Sequence, residues 1–435
     1  MALLAFYAPF SSARLQYIAR LIFEQHLGLS LHVLSNKADF LAYSGPKLAY
    51  GKLAESKLFI PKVTAVLEQE DLRPLPAIVW QMDQNNWPFA LAAKGGIIGF
   101  DLLSLAFLAL SRYEEYLPFE EDPHGRFSAE QSFFAAYLRR PWLDYHFNRL
   151  GELLVQQFPA LKVKALAYAF LPTYDIDFAY KYKGLPLWRQ AGKLLKNAHQ
   201  RPKELKRQLA VLVGQEPDPY DVFSHLAKAH QSLGIAAAHY FFLLGDYGPY
   251  DKNTPWKAAV LGRLIQELEQ AGNQIGIHPA YAADWGEQIK RLAFWTKKAP
   301  KKSRQHFLRL RFPQTYRQLM ALGIKEDYSM GYAANIGFRA GYSRPFYWFD
   351  LRENEEKELK IYPFALMDVS LKNYLSCSVE TAKTLSDQLL AELREVSGNC
   401  ISLWHNSSFD AAEGWAGWTE FYLDFLKRAK KNELI

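Results

Sequence analysis

From about Leu161 onward the chain alternates short apolar runs with longer stretches in which apolar residues return at helical spacing. The runs, rich in aromatic and β-branched residues, predict strands over 165–178, 236–244, 274–279, 335–338, 361–367 and 399–405. Between them Val260, Leu261, Leu264, Ile265 and Leu268 line one helix face until Gly272 stops it. Leu385, Leu389, Leu390, Leu393 and Val396 form a second stripe, closed by Gly398. Strand and helix in alternation predict a mainly parallel sheet. Because several strands end in a polar residue, a (β/α) barrel is the expected form.

The first part of the chain has a mixed pattern, with strands expected over 3–7 and 58–60 and helices over 13–27, 129–137 and 143–158. At 435 residues two domains are expected. They are a smaller mixed α+β domain over 1–163, of no assigned role, and an α/β barrel over 164–435. A helix opens at Gly99 and ends near Arg112, Glu114 and Glu115, which read as an ion-paired helix end because residues three apart on a helix face each other. His124 follows in the polar loop 120–127.

Composition narrows the class. Hydrophobic residues make up 49%, aromatic 15% and charged 22%, which excludes a disordered chain. Cys377 and Cys400 are the two cysteines, without metal-site spacing. No apolar stretch is long enough to insert in a membrane, and no signal peptide is read at the amino terminus, so a cytoplasmic protein is expected. The net charge of +7 comes from runs such as 201–207 and 297–304, read as solvated helix faces, and no nucleic-acid motif accompanies them.

Candidate chemistry gathers at the strand ends. In Leu171-Pro172-Thr173-Tyr174-Asp175-Ile176-Asp177, an apolar run delivers two carboxylates at i and i+2, which leave a strand on the same side. A carboxylate in such a place must be paired, hydrogen-bonded or bound to a metal. Successive predicted strand ends then present His278, Arg339, Asp368 and His405. Tyr281, Trp285, Trp348, Trp404, Trp415 and Trp418 fall nearby, with the turn-rich loops 244–250 and 414–418 as candidate walls of a cleft.

These segments resemble the NodB-homology polysaccharide deacetylases, a carbohydrate esterase group, over about 172–409. Thr173-Tyr174-Asp175-Ile176-Asp177 is similar to the family's first motif and implies Asp175 as general base and Asp177 as metal ligand. Gly276-Ile277-His278-Pro279 resembles the second and implies His278 as a ligand. Phe338-Arg339-Ala340-Gly341-Tyr342 is similar to the third, implying that Arg339 orients the base and Tyr342 lies at the oxyanion. Met367-Asp368 and Ile401-Ser402-Leu403-Trp404-His405 resemble the fourth and fifth, implying His405 as general acid, Asp368 as its partner and Trp404 at the substrate. The second motif's further histidine is replaced by Ala282. Ser303-Arg304-Gln305-His306 resembles a stretch of a bacterial branch with an additional amino-terminal domain, which makes His306 the candidate third ligand, with His239 as its competitor. The third motif lacks its proline and the fourth its tryptophan.

The resemblance implies one divalent ion, zinc or else cobalt, nickel or manganese, and hydrolysis of N- or O-acetyl groups on a glycan. In that chemistry the aspartate bound to the ion cannot be the base, so its neighbour is. Two other readings share the scaffold: a metal-free carbohydrate-binding barrel, and a hydrolase of another amide.

Overall fold

The computed structural model describes residues 3–56, 58–74, 78–281 and 284–431. Two parallel sheets organise the chain. The first, in the order β2-β1-β3-β4, joins β1 (Leu3–Tyr7), β2 (Ser30–Leu34), β3 (Lys47–Tyr50) and β4 (Phe59–Ile60), with every ladder parallel. The amino-terminal part is therefore α/β in character, not the α+β mixture expected. β2 escapes a reading of hydropathy because it is an edge strand with exposed Ser30, His32 and Val33. The predicted helix 13–27 forms as α1 (Ala13–Ala19), capped by the Ser12 hydroxyl on the Leu15 N–H, and continues as a wider π turn over Arg20–His26, with α2 (Lys37–Ala42) following β2. Residues 129–137 form two short 3₁₀ turns in place of a helix. A small antiparallel ribbon pairs β5 (Gln81–Met82) with β6 (Pro88–Phe89).

The second sheet contains β7 (Ala169–Ile176), β8 (His239–Phe242), β9 (Gln274–Ile277), β10 (Lys302–Ser303), β11 (Glu326–Asp327), β12 (Phe346–Asp350), β13 (Glu355–Ile361), β14 (Leu366–Met367) and β15 (Asn399–His405). Its order is β12-β13-β11-β10-β9-β8-β7-β15-β14, parallel except for the β12–β13 hairpin. Helices Ala259–Gln270, Trp285–Thr296, Gln314–Ala321 and Val379–Glu395 lie between consecutive strands, as parallel connections require. Phe241, Tyr328, Phe364, Met367, Ile401 and Leu403, from both halves of the sheet order, share one inner cluster, so the sheet curls. Among the described residues no ladder joins β12 to β14, so barrel closure is not seen. No described helix is long and apolar enough to cross a membrane.

The predicted strand 335–338 is not a strand. It belongs to a loop that presses against the amino-terminal part, where a Cβ on Gly337 would meet the Leu138 carbonyl and one on Gly341 would meet the Trp142 ring. Both glycines have positive φ, 109° and 64°, conformations disfavoured for other residues. The Phe338 N–H donates to the Leu138 carbonyl at 2.6 Å, and the Leu143 N–H to that of Gly341 at 2.9 Å. One buried apolar core runs through both parts of the chain, from α3 (Leu102–Leu110) and α4 (Trp142–Gln157) to Trp348 and Phe349.

Candidate active site

The ladder register sets the first two groups. β7 and β15 pair so that Asp175 stands directly beside His405, and Asp177 follows two residues later on the same side. Tyr174, the residue before Asp175, points to the opposite face, where its hydroxyl meets His230 Nε2 at 2.7 Å and the Tyr422 hydroxyl at 2.8 Å. His278 follows β9 directly, its N–H bound to the Phe242 carbonyl of β8 at 2.9 Å. β10 is short, but the Ser303 hydroxyl donates to buried Asp327 at 2.9 Å and the Arg304 N–H reaches the Ile277 carbonyl at 3.1 Å. Those anchors fix Arg304, Gln305 and His306 at the carboxyl edge of the sheet. Phe307 and Leu308 then take left-handed backbone conformations, φ 57° and 54°, sparsely populated for bulky residues and held only where surroundings impose them.

Asp175, Asp177, His278, His306 and His405 all line one cavity of about 320 Å³. One ligand atom each of Asp177, His278 and His306 lies within 4.8 Å of the others. His278 Nδ1 donates to the Arg304 carbonyl at 2.6 Å, leaving the Nε2 lone pair 3.4 Å from Asp177 Oδ1. His306 Nδ1 is bound to Asp251 Oδ1 at 3.1 Å, leaving its Nε2 3.8 Å from Asp177 Oδ2. Partners on the far nitrogen orient both imidazoles, as around metal ions in proteins. Asp177 Oδ1 is a buried oxygen that no described donor satisfies. One carboxylate and two imidazoles with an open fourth direction suit a catalytic divalent site. Burial pushes the Asp177 carboxyl up, but the imidazoles of His306, His278 and His405 outweigh it and hold it well below the usual range. His278 is shifted the other way, since Asp175 and Asp177 overcome the effect of its burial.

His405 Nδ1 faces Asp368 Oδ1 at 2.9 Å, and the other oxygen of Asp368 accepts the His405 N–H at 2.8 Å. Burial lowers its basicity, yet Asp368, then Asp177 and Asp175, raise the imidazole to about 10 from an ordinary 6.5. A raised histidine stabilises the fold fully below its unfolded value, and that stability is lost as pH rises through the folded one. The melting temperature of chelator-treated protein is therefore expected to fall between about pH 7 and 10. Asp368→Asn should flatten that slope, and an unchanged slope in this variant would show that His405 is not the group responsible.

Three expected site residues stand elsewhere. Arg339 is not beside Asp175: it is buried against Glu115, which also holds Arg112 at 2.8 Å. Its guanidinium therefore ties the two parts of the chain together. The Tyr342 hydroxyl is committed to His26 Nδ1 at 3.0 Å, buried between His26 and Phe147, and does not line the cavity. Trp404 points to the helix side of β15, stacked on Tyr422 at 4.3 Å, because it alternates with His405 along the strand. His239 packs on the Tyr328 ring, outside the cavity lining, and its imidazole is pushed down to about 3 by burial. Ala282 lies outside the described residues. Of the aromatic candidates Trp415 lines the cavity, with Trp418 packed on it at 5.4 Å.

Arg304 takes the place expected of Arg339. It is fully buried, donates from Nη1 to Asp175 Oδ1 at 3.0 Å and from Nε to the Tyr328 carbonyl at 3.0 Å, and lies over the Phe241 ring. It was hidden at the end of the basic run 297–304, read as a solvated face. Its proximity to His306 was the available signal. We expect Arg304→Met to reduce kcat at least tenfold by freeing Asp175. Arg339→Met is expected to lower the melting temperature, because it leaves Glu115 buried with one partner fewer, while sparing kcat wherever the variant is folded. The reverse pattern would return the orienting role to Arg339.

Sequence reasoning also missed Asp251, Gln305 and Arg126. Gln305 is buried in the cavity wall, and its Nε2 has no partner among the described residues. Arg126 comes from the loop 120–127, is braced by Asp122 at 2.7 Å, donates to the Phe307 carbonyl at 2.7 Å and lines the same cavity.

A family model described as "Family of unknown function (DUF7033)" matches residues 4–159. A search of curated proteins gives no match. Among solved structures, the chain is similar to a protein from Mycobacterium smegmatis described as a polysaccharide deacetylase, at 14% identity and a TM-score of 0.40, over 62% of this chain and 86% of that one. It is similar to a polysaccharide deacetylase from Bacillus cereus, at 13% identity and a TM-score of 0.28, over 60% and 87%. A family 4 carbohydrate esterase from Streptomyces lividans in complex with acetate follows, at 12% identity and a TM-score of 0.27, over 61% and 88%.

Proposed function

We propose that this protein is a metal-dependent hydrolase that removes acetyl groups from an acetylated glycan or its precursor. The observation that carries the reading is the convergence of Asp177, His278 and His306 within 4.8 Å in the cavity that Asp175 and His405 also line. Asp177, His278 and His306 would hold the ion, with zinc the first choice and cobalt, nickel or manganese the others. A divalent ion there supplies Lewis acidity to a water and an acyl oxygen.

The remaining chemistry belongs to the side chains. Asp175, kept in place by Arg304, accepts the proton of the attacking water. His405, charged beside Asp368, donates from Nε2 to the leaving nitrogen or oxygen, because its Nδ1 is already engaged. An amine leaving group needs that proton more than an alkoxide does, which favours N-acetyl substrates. The Gln305 amide, in the cavity wall and without a partner among the described residues, would donate to the acyl oxygen in the role expected of Tyr342. Glycan as the substrate is supported by the motif resemblance around Asp175, His278 and His405 and by Trp415 on the rim. In this reading residues 164–435 form the catalytic domain and 1–163 an accessory domain that contributes Arg126 to the cleft.

The test joins metal analysis to acetate release from chitooligosaccharides, peptidoglycan fragments and acetylated xylan. About one divalent ion per chain, absent from His278→Ala, is expected together with acetate from one substrate class. A bound ion without acetate would overturn the glycan assignment, and a chain that retains no ion would overturn the hydrolase itself.

A further inference from the structure

The connection between β7 and β8 carries an exposed helical hairpin, α5 (Leu187–Gln200) and α6 (Pro202–Leu212), in which α5 turns an apolar ridge outward. Part of its polar side chains turn inward. Lys181 beside the hairpin binds Glu204 and Asp410 at 2.8 Å each, Arg207 binds Asp410 at 2.7 Å, and Asn197 donates to buried Gln208 at 2.8 Å. Arg189, in the first turn of α5, is buried and donates to the Asn253 carbonyl at 2.8 Å. The apolar side chains turn outward: Leu187 is 88% exposed, Trp188 68% and Leu195 73%. At 100° per residue Leu187, Trp188, Ala191, Leu195 and Ala198 fall within an arc of roughly 100°, so they form one ridge. A helix that buries Arg189 and offers leucine and tryptophan to solvent marks an interaction surface.

Charge identifies the occupant. From Lys181 to Gln215 the sequence has nine Lys or Arg and one Glu, whereas the whole chain carries +7, so the rest is close to neutral. Lys196, Lys203 and Lys206 are exposed and form no ion pair among the described residues. We propose that the α5–α6 hairpin docks on an anionic membrane surface, with the Leu187–Trp188–Leu195 ridge among the acyl chains and these lysines at the headgroups. Cationic residues flanking an apolar ridge match an interface that offers both negative headgroups and hydrocarbon. A soluble polyanion such as RNA would satisfy the lysines and leave the ridge in water.

Position gives the surface its consequence. The hairpin leaves the sheet at the carboxyl end of β7, just after Asp177, and Asp410 ties its base to the loop that brings Ser407 and Ser408 to the cavity. Docking therefore sets the cleft beside the lipid headgroups. Resting on the hydrolase reading, this directs the enzyme to glycans held at a membrane surface, while the cleft itself still accepts short soluble fragments.

Flotation of the intact protein with vesicles tests the docking without reference to catalysis. Recovery with phosphatidylcholine vesicles containing roughly 30% phosphatidylglycerol, but not with phosphatidylcholine alone, is expected, and it should weaken as salt rises. Leu187→Gln/Trp188→Gln/Leu195→Gln should reduce binding about tenfold or more with circular dichroism and acetate release from short soluble oligosaccharides unchanged. Lys196→Glu/Lys203→Glu/Lys206→Glu should abolish the preference for anionic vesicles. Wild-type protein that stays unbound, or glutamine variants that float equally well, would overturn the proposal. So would RNA binding that is indifferent to the glutamine substitutions, or a wild-type dimer that those substitutions dissolve.

Discussion

Asp175→Asn is expected to lower kcat by roughly 10²–10⁴, the range over which a positioned proton acceptor acts. Retained ion content and an almost unchanged fold should accompany that loss. The two effects separate because Asp175 is not one of the three grouped ligands, and an asparagine oxygen can still accept from Arg304 Nη1. KM should change little, since the carboxylate is asked to take a proton and not to hold the sugar. Asp177→Asn is the control, two residues further along and just past the end of β7, and it should reduce both ion content and rate. Activity of Asp175→Asn within about tenfold of wild type would remove Asp175 from the role of base.

His306→Ala is expected to have its largest effect on binding. Its imidazole completes the group with Asp177 and His278, and Asp251 orients it from behind. Titration of chelator-treated wild type with zinc should raise the melting temperature, equivalent to about 2.7 kcal/mol when free ion stands at 100 times Kd. His306→Ala should show little of that rise. Asp251→Asn should weaken the ion by about 10–100-fold, the usual consequence of removing a carboxylate behind a ligating histidine. His239→Ala, whose ring contacts Tyr328 outside the cavity, should bind the ion like wild type. An unaltered zinc response in His306→Ala would show that the third ligand lies elsewhere.

The site was legible wherever chemistry falls at the end of a long apolar strand. β7 and β15 are the longest parallel neighbours of the large sheet, and Asp175, Asp177 and His405 could be placed from the run of residues before them. β10 and β11 have two residues each, too few to leave a periodic signal, so Arg304 at the end of a basic run stayed hidden although it is fully buried. Arg339 misled for a related reason. Phe338 and Ile336 are apolar because they pack against the amino-terminal part, not because they lie in a strand, and burial of either origin looks the same in sequence. Trp404 was placed on the wrong side because a motif records neighbours along the chain, whereas the pleat sends neighbours to opposite faces. In the amino-terminal sheet, edge strand β2 carries too much polar surface to read as a strand.

Arg126 hangs its guanidinium on the carbonyl of Phe307, the residue directly after His306, at the point where two successive left-handed residues turn the chain. The loop 120–127 and the imidazole grouped with Asp177 and His278 thus behave as two ends of one short lever. On the proposed metal-dependent reading, sequence drift in the first third of the protein, far along the chain from Asp177, His278 and His306, is expected to change how firmly a cation is gripped.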